Sequence, residues 1–289
     1  MRALPSRAGM RLPDLRAVCA LTVLTLGIAA CAQFPSQDHG PAYPVNLSQI
    51  PNAVPRYEPR SPYGNPASYT VDGRTYHVLP DCAGYHARGI ASWYGSKFHG
   101  GRTSDGETYD MYAMTAANKV LPLPCYVRVT DLENGRSVIV RVNDRGPFVK
   151  NRIIDLSYAA AARIGMLGAG TALVDVQAVT PGESPPPAAP GSNLPVESAT
   201  PPVSAAAGAV HKPLIFVQVG AFANRDNAER VLQRLQTAHI SPVFILTRSR
   251  NGLVLYKVRI GPIADVAHVD ALTDQLSTLG FPDSQVIIP

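Results

Sequence analysis

Residues 180 to 210 constrain this chain more than any other stretch. They carry eight prolines among alanines and serines, and no aromatic residue. Such a segment favours extended backbone and contributes nothing to a packed core. A chain interrupted in this way cannot close around a single core. It divides into two folding units, residues 69–179 and 212–289, joined by a linker over 180–211. Each unit is long enough to hold a small core without a metal. Residues 31–68 are also rich in Pro, Gln, Asn and Ser, and they read as a disordered tether in front of the first unit.

The first thirty residues read as a leader. Arg2, Arg7, Arg11 and Arg16 precede an apolar run, Ala17 to Ala30, that is too short to span a bilayer comfortably. It ends in Ala29-Ala30-Cys31, the pattern of a lipoprotein signal that leaves Cys31 acylated as the first mature residue. The other reading is an ordinary signal peptide cut nearby, with Cys31 incidental. An Asp after the Cys tends to retain lipoproteins in the inner membrane. Ala32 therefore points to a periplasmic protein anchored to the outer membrane.

The formal charge of +5 overstates the basicity of the mature chain. The leader holds four Arg and one Asp, a net of +3, which leaves +2 for the remainder. No basic cluster with interleaved aromatics appears, so nucleic acid is excluded as a partner class. Of four cysteines, Cys19 leaves with the leader and Cys31 takes the lipid. Cys82 and Cys125 remain in an oxidising compartment, and their spacing leaves open whether they pair. No Cys/His spacing suggests a metal site, and nothing calls for a cofactor.

The first unit is mostly strand. Ile90 to Tyr94, Tyr126 to Leu132, Ser137 to Val142, Ile153-Ile154 and Thr171 to Val179 carry the β pattern. Asn134-Gly135 is a hairpin turn signal. One helix is expected from Ser157 to Ile164, capped by Ser157 or Asp155 and closed by Gly165. Short strands with Gly-rich turns point to a small β-barrel. The second unit repeats a strand and an amphipathic helix. Phe216–Phe222 precedes a helix capped by Asn224, and Leu255–Gly261 precedes one capped by Asp265. With Val243–Leu246 and Val286–Ile288 this gives βαββαβ, an antiparallel sheet with both helices on one face.

Between Gly89 and Leu156 the sequence crowds Glu107, Asp110, Asp144 and Asp155 among aromatics, hydroxyls and Gly-rich turns. That mixture suits a cleft for a neutral, hydroxyl-rich polymer such as a glycan. Each acid also has a plainer reading. Glu107 and Asp110 can be solvated turn carboxylates, Asp144 can brace the turn before Arg145, and Asp155 can cap the helix. Trp93, Tyr94 and Tyr112 can stack on sugar faces or pack in the core, and His99 sits in a loop near the cleft entrance. In the second unit, alternation puts Gln218 opposite Val217 and Val219. Lys257 and Arg259 share the open sheet face, where they can meet glycan hydroxyls.

The runs GIASWYGSKFHG, DGETYDMYAMTAA, VRVTDLENGRSVIVRVNDRGPF and RIIDLS resemble the double-psi β-barrel of the rare lipoprotein A family, the septal ring lytic transglycosylases. FVQVGAF and YKVRIGP resemble the SPOR module that binds peptidoglycan at division sites. The resemblance implies cleavage of the bond between N-acetylmuramic acid and N-acetylglucosamine in peptide-free strands, leaving 1,6-anhydromuramic ends. It implies the division septum as location and divisome proteins as neighbours. Glu107, Asp110 and Asp144 match acidic positions of the family. Asp155 matches the catalytic Asp of related barrels and competes as general acid. Where the family has His after Thr-Ala-Ala, this chain has Asn118, which hydrogen-bonds but carries no charge. That departure keeps a rival reading open, a non-catalytic or expansin-like wall-binding protein.

Overall fold

The computed structural model describes residues 38–41, 46–47, 49–182, 213–250 and 252–289. The leader, the proposed lipid site at Cys31 and most of the linker lie outside the described residues.

Six strands close a barrel. In chain order they are β3 (His86–Tyr94), β4 (Thr115–Asn118), β5 (Cys125–Asp131), β6 (Ser137–Asp144), β7 (Arg152–Ser157) and β8 (Ala172–Ala178). Around the barrel the order is β3-β7-β4-β6-β5-β8. Two neighbouring pairs, β3 with β7 and β4 with β6, run parallel, and the rest run antiparallel. Alternate residues fill the interior, with Val127, Val129, Val140, Val142, Ile154 and Leu156 fully buried. The helix α1 (Tyr158–Ile164) follows β7 directly. Its cap is Ser157, whose Oγ accepts from Ala160 N, and Gly165 closes it at φ 85°. That leaves Asp155 inside β7 and free of capping duty.

A short hairpin precedes the barrel, β1 (Ser68–Val71) and β2 (Arg74–His77). Its turn is Asp72-Gly73, with both residues at positive φ, the geometry that Asp-Gly supplies cheaply. Residues 49–66 differ from the expected disordered tether. They run along the barrel wall and bond to it. Ala53 N donates to Ile139 O at 3.0 Å, Ser61 N to Leu123 O at 2.8 Å, and the Asn65 side chain exchanges two bonds with Leu123. Glu58 receives a two-armed ion pair from Arg141 at 2.9 and 3.1 Å. Burial alone would raise the Glu58 carboxyl, but hydrogen bonds from Arg141, Tyr126 and Arg56 outweigh it and hold it at about 2.

The second unit has the expected βαββαβ order: β9 (Ile215–Phe222), α2 (Arg225–Thr237), β10 (Val243–Arg250), β11 (Leu253–Ile263), α3 (Val266–Thr278) and β12 (Gln285–Ile287). The sheet order is β10-β11-β9-β12, antiparallel throughout. Asn224 and Asp265 cap the two helices. Ala228, Leu235, Val269 and Leu276 bury against Val217, Val258 and Ile260.

Candidate active site

The barrel carries a cleft of about 580 Å³. Its chemistry follows from strand register. Ser92 on β3 pairs with Asp155 on β7, Asp155 pairs with Ala117 on β4, and Ala117 pairs with Asp144 on β6. Ser92, Asp155, Ala117 and Asp144 therefore form a row across four adjacent strands, and all four line the cleft. Neighbouring strands lie about 4.8 Å apart, so the two aspartates stand on backbones roughly 10 Å apart. Only a methyl group rises between them.

The two acids sit in different surroundings. Asp144 Oδ1 accepts from Ser104 N at 2.8 Å, Ser104 Oγ at 2.6 Å and Arg145 N at 2.7 Å. These bonds fix its orientation and tie the 102–108 loop to the cleft. Asp155 has one carboxyl oxygen buried without a hydrogen-bond partner. Its carboxyl is pushed up to about 6, chiefly by burial. A hydrogen bond from Ser92 opposes the rise, and the charges of Asp38 and Asp144 add to it. An unsatisfied buried oxygen in a cleft is an open position for a ligand atom.

Aromatic residues surround the row. Trp93 lines the cleft and meets Tyr158 edge to face at 5.7 Å. Tyr94 lines it too and stacks on Tyr109 at 4.1 Å, while the Tyr109 hydroxyl donates to Tyr94 O at 2.6 Å. Phe98 and Phe148 complete an exposed apolar rim.

The remaining candidates fall elsewhere. Glu107, whose side chain is 48% exposed, pairs with Arg141 at 2.7 Å and accepts from Asn143 at 3.0 Å. Asp110, 55% exposed, accepts from Tyr112 N at 3.0 Å and stands 3.8 Å from His99. His99 accepts from Met111 N and lies against the rings of Tyr109 and Tyr112. Neither Glu107, Asp110, His99 nor Tyr112 lines the cleft. Asn118 is 1% exposed, and its amide accepts from Val120 N and Leu121 N and donates to Ile153 O. Strand alternation turns Ala117 to the cleft and Asn118 away from it. The four acids do not converge in one groove. Two of them do.

The lytic transglycolase domain family matches residues 86–176, and the SPOR domain family matches residues 213–288. Endolytic peptidoglycan transglycosylase RlpA of Pseudomonas aeruginosa (strain UCBPP-PA14) is 43% identical over 288 residues, covering 86% of this chain and 84% of that protein. This chain belongs to the RlpA family. The Vibrio cholerae protein of the same name is 38% identical over 246 residues, covering 85% of each chain. The one from Neisseria meningitidis serogroup A is 56% identical over 119 residues, covering 41% of this chain and 50% of its own length.

The SPOR sheet turns one face to its helices and leaves the other open. Gln218 lies on the open face with Arg259 beside it, and the Arg259 guanidinium donates to Gln218 Oε1 at 3.3 Å. Lys257 shares that face by alternation. Sequence reading missed the aromatic component. Phe216 on β9 and Phe244 on β10 meet edge to face at 5.9 Å across the intervening β11. Arg248 lies close enough to lower the basicity of Arg259, after burial, the larger cause. In the barrel it missed Asp38 and Asp72, which line the cleft from the segment before the barrel and from the hairpin tip. The Asp72-Gly73 turn signal was there to find the second. Nothing in composition marks the first.

Proposed function

We infer that this member of the RlpA family is an endolytic peptidoglycan transglycosylase, with Asp155 as the group that moves the proton. The observation that carries this is the row Ser92–Asp155–Ala117–Asp144 along one cleft. A hydrolase needs two carboxyl groups, one of which handles water or forms the sugar ester. A lytic transglycosylase needs one. With a value of about 6, Asp155 is protonated in roughly a tenth of molecules at pH 7, enough to act as an acid and return as a base. It gives its proton to the leaving glycosidic oxygen. It then takes the proton of the sugar's own C6 hydroxyl as that oxygen closes on C1 and forms the 1,6-anhydro ring. The attack is intramolecular, so a bound and oriented sugar supplies much of the rate. Asp144, fixed by its three donors, faces the positive charge that grows at C1. Trp93 and Tyr94 are the stacking surfaces for the sugar rings.

Peptide-free strands suit a cleft rimmed by aromatic residues, and the SPOR face is the second contact with the same polymer. The proposed setting is the periplasm, with Cys31 lipidated in the outer membrane and the protein gathered at the division septum near divisome proteins. The residue that favoured a non-catalytic wall binder, Asn118, does not line the cleft, which weighs against that reading.

The test is digestion of peptide-free glycan strands, with mass spectrometry for 1,6-anhydro ends. Wild type is expected to release them. Asp155→Asn should lose about 10²- to 10⁴-fold and Asp144→Asn less, while Glu107→Gln keeps most of its activity. Tight sedimentation of wild type on strands with no anhydro product would establish a binder instead. An active Asp155→Asn beside a dead Asp110→Asn would move the chemistry out of the cleft.

A further inference from the structure

Away from the cleft, a cavity of about 270 Å³ opens on the barrel wall, lined in part by Glu58, Cys82, Cys125 and Tyr126. Cys125 is the first residue of β5, pairs with Val142 and is 2% exposed in the barrel core. Cys82 lies in the connection between the β1–β2 hairpin and β3, and it packs against that same core from the cavity side. Both carry free thiols in the structure. The two side chains lie close enough for each to shift the basicity of the other. Elements distant in sequence thus bring two thiols to one wall of the cavity, one reachable from solvent and one beneath it.

We propose that Cys82 and Cys125 are a disulfide site, a covalent clasp that fixes the hairpin connection to the barrel wall. Its interaction with Cys125 holds the Cys82 thiol below the ordinary range, and Cys82 is the one open to solvent, so Cys82 is the attacking group. The same interaction, with burial, pushes Cys125 up. The oxidant is an external disulfide, a small-molecule or protein thiol oxidant of the kind present in oxidising compartments. The Cys82 thiolate attacks one of its sulfurs and expels the first oxidant thiolate. Cys125 loses its proton to solvent, attacks the Cys82 sulfur and expels the second. The two cysteines lose two electrons and two protons, and the oxidant disulfide takes them as two thiols.

The clasp bears on the cleft. Asp72, at the tip of the hairpin, lines the cleft, and the hairpin leads into the connection that holds Cys82. Val78 N bonds back to Ala67 O and Leu79 N to Val120 O, so the segment between hairpin and clasp is itself seated on the barrel. Closing the disulfide removes freedom from about forty residues of unfolded chain, which include β3 and β4 with Ser92 and Ala117.

The experiment uses the full chain with Cys19→Ser and Cys31→Ser, so that only the pair can react. The chain is reduced, exposed to oxidised glutathione and mapped by non-reducing peptide mass spectrometry. A Cys82–Cys125 cross-link is expected, lost in Cys82→Ser and in Cys125→Ser. The oxidised protein should melt about 5–10 °C above the reduced one, and Cys82→Ser should melt at one temperature with or without reductant. Glutathione held stably on Cys82 beside a free Cys125 would overturn the proposal. So would identical melting of the oxidised and reduced forms. Because the oxidation is done on purified protein, neither result depends on where the chain resides or on whether it cleaves glycans.

Discussion

Asp155 answers to two opposing demands. Burial that lifts its carboxyl to about 6 makes it an acid near neutral pH, and the same burial makes its ionised form costly to the fold. Its folded value lies above its unfolded one. The stability it allows is therefore fully present below the unfolded value near 3.8 and is lost as pH rises through 6. Asp155→Asn removes that loss. The variant should gain on wild type between pH 5 and pH 8, by on the order of 1–1.5 kcal/mol, the part of the loss that falls in that window. Chemical denaturation of both proteins at the two pH values measures it. In wild type, the glycan-cleaving rate should fall as pH rises above about 6, because the proton to be donated is gone. A variant that loses activity without gaining stability at pH 8 would mean that the cleft does not bury the charge. The sequence made all four acids visible but set Glu107, Asp110 and Asp144 ahead of Asp155. Glu107 and Asp110 lie in a loop whose direction is set by Arg141 and Tyr112. Asp144 and Asp155 are aligned because β6 and β7 both pair with β4, a strand earlier in the chain, and no local pattern encodes that register.

At the scale of elements, alternation of apolar residues was enough to find most barrel strands and every element of the second unit. It missed β4, a four-residue strand, Thr115–Asn118, whose small side chains carry no hydrophobic signal. Yet β4 supplies the methyl between the two aspartates. The segment 49–66 was misread for a different reason. Its composition is that of disordered chain, but a few polar side chains dock it on groups the barrel already presents. Glu58 is the strongest of these. Its folded value is depressed to about 2, so its contribution is present above the unfolded value near 4.5 and disappears as pH falls toward 2. Glu58→Gln also leaves Arg141 without its two-armed partner. Urea titration should show a loss of about 2–3 kcal/mol at pH 7 and roughly half of that or less near pH 3, a little above the folded value. An equal loss at both values would mean that the pair is broken in solution and that packing alone holds the segment.

For the whole molecule, the useful quantity is local concentration. A barrel that engages one stretch of a polymer dissociates between cuts, whereas a second site on the same chain turns the next encounter into an intramolecular event. The open SPOR face has the parts for such a site. The Phe216–Phe244 pair gives apolar area, and Arg259, oriented by Gln218, gives donors for hydroxyl and acetamido oxygens. These residues face away from the helices, so truncating them leaves the SPOR core of Val217, Leu235, Val258 and Leu276 intact. Phe216→Ala combined with Arg259→Ala should therefore weaken co-sedimentation of the full chain with peptide-free strands about tenfold or more while barely moving the melting temperature. Cleavage of short soluble fragments, which cannot reach both sites, should proceed at the wild-type rate, and cleavage of long strands should slow at limiting substrate and recover at saturation. If long and short substrates slowed together, the SPOR face would be acting on the chemistry of the barrel and not on its supply of substrate.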